Sequence, residues 1–207
     1  MKNSFLRTFD DVVTVKGLLP RREAPCENIT VENCVLWCDW GRCLEVGVET
    51  CAPYLRNVVF RKCHLIHGSI VMMDVQQGDS GKVSDVLFED IHIEYTGDER
   101  PIAFESETLT EYPFSKEPHT PALFELVSGV TMWSFDERAG DIENVTFRNI
   151  RITAPEDKLP LPASIITREG DSEISRVVLE NVTCNGRPLT GEDLRLHVCG
   201  NVKDVSL

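Results

Sequence analysis

Five nine-residue segments share one pattern, and this repetition limits the folds open to the chain more than any other feature. Asn28–Leu36 reads N-I-T-V-E-N-C-V-L, and copies of it occupy Asn57–Leu65, Asp85–Ile93, Asn144–Ile152 and Arg176–Cys184. The copies follow one another at steps of 28 to 32 residues, apart from one step of 59. A fixed period of this size marks an array of stacked repeats. Within each unit β-branched residues alternate with polar ones, which predicts short strands and no helical repeat. Strands that recur once per repeat and stack at about 4.8 Å form parallel sheets. The reading that follows is all-β: a parallel β-helix, a solenoid forming one domain over 1–207, with an irregular insertion at about 97–140. That insertion either hides one irregular repeat, at Ala122–Val127, or emerges as a lid beside a cleft.

The 207 residues are enough for one continuous core. With 34 acidic and 21 basic residues the formal charge is -13, which argues against nucleic acid, because phosphate binding needs a basic face. The same charge disfavours anionic membranes. The start has no apolar signal core and nowhere do 18 apolar residues run together, so the chain as written reads as soluble and cytoplasmic. Strand-like sequence begins at once, whereas solenoids need capped ends. Either earlier repeats are missing, which would make the protein secreted or periplasmic, or a second copy in a homo-oligomer covers this end.

Of the eight cysteines, Cys34 and Cys63 share a repeat position with Ile91, Ile150 and Val182, which predicts buried thiols acting as small hydrophobes. Cys26, Cys38, Cys43 and Cys51 are less decided. No C-x-x-C pair occurs, so no zinc is expected, and neither another metal nor a cofactor is implied. His64 and His92 stack in adjacent repeats with His67 three residues on, which reads as an exposed polar row in preference to a metal site. Three Asn-x-Thr sequences, at Asn28, Asn144 and Asn181, arise from the repeat itself.

Aligning the second strand of successive repeats by apolar alternation puts Val13, Leu44 and Val71 in register, with Val15, Val46 and Met73 two residues on. Their neighbours then face outward, with Thr14, Glu45 and Met72 in one row and Lys16, Gly47 and Asp74 in the next. Asp10 and Asp11 stack near Gly41 and Arg42. In this register Glu45 and Asp74 are about 8 Å apart, within the ~6.5–9.5 Å that inverting glycosidases hold between acid and base. Either Glu45 with Asp74, or Asp10 and Asp11 with Glu45, would supply that pair. Crowding would raise one pKa and leave that carboxyl protonated to act as the acid. Gly47 leaves room for a sugar, Trp37 or Trp40 offers an apolar face for its ring, and Lys16, Arg42 and Glu49 complete a carbohydrate-binding surface. The competing reading is a solvated acidic face, with Asp-Asp at an ordinary turn.

The segment F-D-D-V-V-T-V-K-G at 9–17 resembles the G-D-D-x-I-x-I-K of the polygalacturonase-like glycoside hydrolases, family 28. The resemblance implies a right-handed parallel β-helix that hydrolyses pectic glycosidic bonds with inversion, Asp10 and Asp11 matching the paired aspartates. The sequence departs from that pattern at three places. Gly41-Arg42-Cys43 stands where the family has G-H-G, Met72-Met73-Asp74 where it has R-I-K, and the N-T-D segment would lie before Met1. Losing Arg and Lys while gaining Asp would repel polygalacturonate, so a neutral glycan fits better. The expectation is a glycoside hydrolase of a polysaccharide or oligosaccharide. Its rival is a non-catalytic carbohydrate-binding or structural protein, or an inactive part of a longer glycosidase.

Overall fold

The computed structural model describes residues 1–96, 121–155, 161–168 and 170–207. Among them seventeen strands follow in chain order, broken only by a 3-10 turn at Leu19–Arg21. The first six are β1 (Phe5–Thr8), β2 (Val13–Gly17), β3 (Cys26–Glu32), β4 (Val35–Cys38), β5 (Arg42–Thr50) and β6 (Tyr54–Arg61). Then come β7 (His64–His67), β8 (Val71–Gln77), β9 (Lys82–Glu89), β10 (His92–Glu94), β11 (Ala122–Ser128) and β12 (Asp141–Thr153). The last are β13 (Ala163–Thr167), β14 (Ile174–Cys184), β15 (Arg187–Pro188), β16 (Leu196–Cys199) and β17 (Val202–Ser206). No helix among the described residues is long and apolar enough to cross a membrane.

Equivalent positions of the repeated segment pair directly. Ile29 lies opposite Val58, then Val86, Val145 and Val177. Two positions on, Val31, Phe60, Phe88, Phe147 and Leu179 line up and are all buried. The Phe60, Phe88 and Phe147 rings stack at 5.1 and 5.0 Å, and Phe124 joins them 4.4 Å from Phe147, a geometry that adds to the burial of each ring. Cys34, Cys63, Ile91, Ile150 and Val182 are buried in one row, and all eight cysteines are free thiols.

The asparagines at both ends of the repeated segment explain its boundaries. Asn28, Asn57, Asp85, Asn144 and Arg176 have φ between 53° and 60°, and so do Asn33, Lys62, Asp90, Asn149 and Asn181. Short polar side chains tolerate this left-handed region because they bond locally. Here they bond along the row: Asn57 donates to Asn28 (2.7 Å), Asn144 to Asp85 (2.6 Å) and Asn181 to Asn149 (2.8 Å). At Asn33, Lys62 and Asp90 the strand stops one residue earlier, whereas β12 runs through both Asn144 and Asn149 and β14 through Asn181.

That continuity corrects the expected architecture. Instead of the right-handed β-helix solenoid, the strands form two parallel sheets stacked around a shared core. The larger has eleven strands in the path β1-β4-β7-β10-β12-β9-β6-β3, with β14, β15 and β17 joined through β12. In it, strands on the two sides of the Asn149 bend belong to a single sheet, and β15 pairs antiparallel to β14. The smaller sheet has six strands in the order β16-β13-β11-β8-β5-β2. Of the two alternatives for the 97–140 insertion, the structure bears out the hidden repeat at Ala122–Val127. Residues 97–120 lie outside the described residues, but Ala122–Ser128 is strand β11, paired with both β8 and β13. Among the described residues of the segment, 129–140 form the loop between β11 and β12.

Candidate active site

The six-stranded sheet and the loops at one end of it form a cavity of about 490 Å³. In β2 and β5 the apolar residues Val13, Val15, Leu44 and Val46 enter the core, so the alternation turns Lys16 and Glu45 to the opposite face. Asp10 and Asp11 reach the cavity from the β1–β2 loop, Trp40 from the β4–β5 loop, and Arg42 and Glu49 from β5. Every site residue expected from the sequence lines this cavity except Trp37 and Asp74.

Trp37 belongs to the larger sheet. Its indole donates to Asp39 Oδ1 (2.7 Å), lies under the Arg7 guanidinium (4.8 Å) and stacks on His67 (4.9 Å). Those contacts make it a structural residue. His67 is thereby separated in role from His64 and His92, whose rings stack at 4.4 Å. His64 faces Glu94 at 2.8 Å and His92 faces the Thr153 hydroxyl at 3.0 Å.

The register of β8 differs from expectation by two residues. Val13 pairs with Leu44 as expected, but Leu44 pairs with Met73, so Glu45 lies directly opposite Asp74. Asp74 is completely buried, beneath Arg42. It accepts from Arg42 Nε (2.5 Å) and from Gln76 Nε2 (3.0 Å), and its Oδ1 has no partner. It is therefore a positioning residue for Arg42 and not one half of an acid/base pair 8 Å wide. Gly47 is also corrected. A side chain there would come 2.1 Å from the Gln76 carbonyl oxygen and φ is +119°, so glycine is required for backbone packing and leaves no space for a sugar. Gly41 is constrained likewise: with φ +131°, its added Cβ would meet Asp11 N and Oδ1 at 2.8 Å.

Arg42 organises the charges. Its backbone N–H donates to Asp11 Oδ1 (2.9 Å), while its guanidinium lies 2.5 Å from Asp74, 3.5 Å from Glu45 and 3.9 Å from Asp11. Burial opposes its charge, but those three carboxylates outweigh burial and keep it a cation. Lys16 pairs with Glu49 at 2.6 Å. Burial works against its charge too, but the Glu49 hydrogen bond and the charges of Glu45, Glu49 and Asp11 raise its pKa.

Glu45 is 1 % exposed and its Oε2 has no hydrogen-bond partner. Burial first, then the charges of Asp74 and Asp11, push its pKa well above the usual carboxylate range, against the pull of Arg42 and Lys16. Burial likewise raises Asp74, opposed by Arg42. One guanidinium cannot balance two buried carboxylates side by side, so the pair retains a proton. Asp74 makes the shorter contact with Arg42. Glu45 is accordingly the member pushed further toward its protonated form, and its side chain lines the cavity. Asp11, 18 % exposed at its side chain, and the exposed Asp10, whose Oδ1 accepts from the Asp11 N–H (2.8 Å), are placed to accept a proton. Because Asp11 and Glu45 both lie within 4 Å of one guanidinium, their carboxyls are less than about 10 Å apart, compatible with the ~6.5–9.5 Å of an inverting pair.

The sequence reading missed part of the cavity's lining. Met132 and Trp133 line the cavity from the β11–β12 loop, which has no repeat pattern to signal its position. Asp79, fully buried, anchors that loop: its Oδ1 accepts from the N–H groups of Phe135 (2.6 Å) and Asp136 (2.9 Å), and its Oδ2 from that of Thr50 (2.9 Å). Cys51, Asp79 and Asp136 are close enough to hold a metal ion. The oxygens are already engaged, however, with Asp136 also bonded to Ser80 and Arg22. Burial and Asp79 push the Cys51 thiol up to about 11. This cluster is a structural latch.

Comparison with family models, with curated proteins and with solved structures finds no match to this chain.

Proposed function

We propose that the chain is a glycoside hydrolase acting on an uncharged oligosaccharide or polysaccharide, related in mechanism to the polygalacturonase-like enzymes. The observation that carries the proposal is Glu45: a buried carboxyl, held above the usual carboxylate range by burial and by Asp74 and Asp11, in the same cavity as the half-buried Asp11 and the exposed Asp10. Glu45 gives its proton to the glycosidic oxygen as the bond from that oxygen to the anomeric carbon breaks. A water on the opposite face forms the new bond to that carbon and passes its proton to Asp11, assisted by Asp10, which inverts the anomeric configuration. Asp74 holds Arg42 in place, and Arg42 fixes Asp11 through its backbone N–H.

The preference for an uncharged glycan follows from the pairing of both cavity cations. Lys16 is engaged by Glu49, and Arg42 by Asp74 and Glu45. A uronate would meet Asp10, Asp11 and Glu49 with no uncommitted positive charge to offset them.

The test is release of reducing sugar from a panel of neutral polysaccharides and from polygalacturonate, with the anomer of the product read by NMR. Glu45→Gln and Asp11→Asn are expected to lose roughly 10²–10⁴ of the rate while retaining the circular dichroism of the wild type. Hydrolysis unaffected by both substitutions would sink the assignment. A non-catalytic glycan-binding role is favoured by one observation: Arg42 stands within 4 Å of both Asp11 and Glu45, where its charge favours the ionised form of each and works against keeping a protonated acid. Glycan binding without turnover in the wild type selects that second reading.

A further inference from the structure

We propose that Trp133, supported by Met132, is a sugar-stacking wall facing the acid cluster, and that this wall selects the C–H face of an uncharged pyranose ring. The inference rests on the glycan reading of the cavity but not on its being catalytic.

Three large apolar side chains of one short loop stand in water: Met132 is 88 % exposed, Trp133 47 % and Phe135 52 %. A loose loop would fold such groups inward to remove them from solvent. This one is pinned at several points. Asp79 takes two of its N–H groups, and Asp136 bonds Ser80 and Arg22. Internally, Thr131 N–H donates to Ser134 Oγ (2.9 Å) and Trp133 N–H to Thr131 Oγ1 (3.1 Å). The loop's hydrogen bonds therefore hold the indole at the cavity rim instead of allowing collapse.

Trp133 shares the cavity with Trp40, which is stacked parallel on Phe9 at 6.0 Å. A site lined by two indoles and several carboxylates fits a ligand that is apolar on its flat faces and rich in hydroxyl donors at its edge. Pyranose rings have that shape, and aromatic pockets with a few convergent polar groups are the usual form of small-ligand sites. Both cations are paired, which removes the recognition element an acidic sugar would need.

The experiment uses the full chain carrying Glu45→Gln, so that bound sugar is not consumed. Cellohexaose, maltohexaose, isomaltohexaose, a galactan hexaose and hexagalacturonate are titrated, followed by tryptophan fluorescence and by calorimetry. At least one uncharged hexaose is expected to bind and hexagalacturonate is not. Adding Trp133→Ala should weaken that binding about tenfold or more, and Trp133→Phe by no more than about threefold. Trp37→Phe, in the other sheet, should leave it unchanged. The proposal is overturned if no uncharged hexaose binds, if hexagalacturonate binds as tightly, or if Trp133→Ala stays within about twofold. Binding that depends on Trp133 in a wild type that hydrolyses nothing keeps the wall and removes the hydrolase. Hydrolysis indifferent to Trp133→Ala does the reverse.

Discussion

Glu45 shows how one side chain can tie stability to pH. Its pKa is raised in the folded state by burial and by Asp74 and Asp11, while in the unfolded chain it has the ordinary value of about 4.3. Above that value the folded protein binds more protons than the unfolded one, so stability falls as pH rises. Thermal unfolding is expected to show a melting temperature that declines from about pH 5 to about pH 8, and Glu45→Gln should flatten that decline. A melting temperature that rises over this range would refute the assignment. The neighbourhood of Glu45 was legible because Val13-x-Val15 and Leu44-x-Val46 alternate cleanly between core and cavity. Asp74 was misplaced because Ile70-Val71-Met72-Met73 is continuously apolar and every residue of β8 is buried. A strand covered on both faces carries no alternation from which to read a register.

At the scale of the strand, the repeats are held by identical residues lying over one another, and the phenylalanine row is the densest case. Phe88 is fully buried between Phe60 and Phe147. Phe88→Ala is expected to cost about 3–5 kcal/mol, measured by urea unfolding. A loss below about 1 kcal/mol would show that the row collapses around the gap. The period and the strand identity of each repeat could be read from the sequence, and so could the buried Cys34 and Cys63. Less legible was the role of the flanking asparagines. The pattern marks Asn144 and Asn149 as recurrent but does not say that β12 passes through them unbroken. That continuity is why the large sheet gathers strands that a solenoid would have kept on separate faces.

Over the whole molecule, each sheet ends in a strand with one neighbour among the described residues: β1 pairs only with β4, and β2 only with β5. Phe5 on β1 is 63 % exposed and Leu18 after β2 is 52 % exposed. Open edges with apolar residues invite pairing with further strands, whether from preceding sequence or from a second copy, the two alternatives expected from the sequence. Light scattering is expected to show mass rising with concentration, and Phe5→Lys should suppress the rise. A constant monomer mass would exclude this edge as an interface. The Asp79 latch has a separate consequence for how such a protein can diversify. Arg42, Glu45 and Asp74 stand on sheet strands whose spacing the repeat enforces, with Asp10 and Asp11 in the short loop before β2, whereas the indole of Trp133 belongs to residues 129–140, outside the repeat. Changes to that segment can therefore reshape the cavity's rim while leaving the carboxyl cluster on the sheet untouched, so long as the buried Asp79 keeps its three backbone partners.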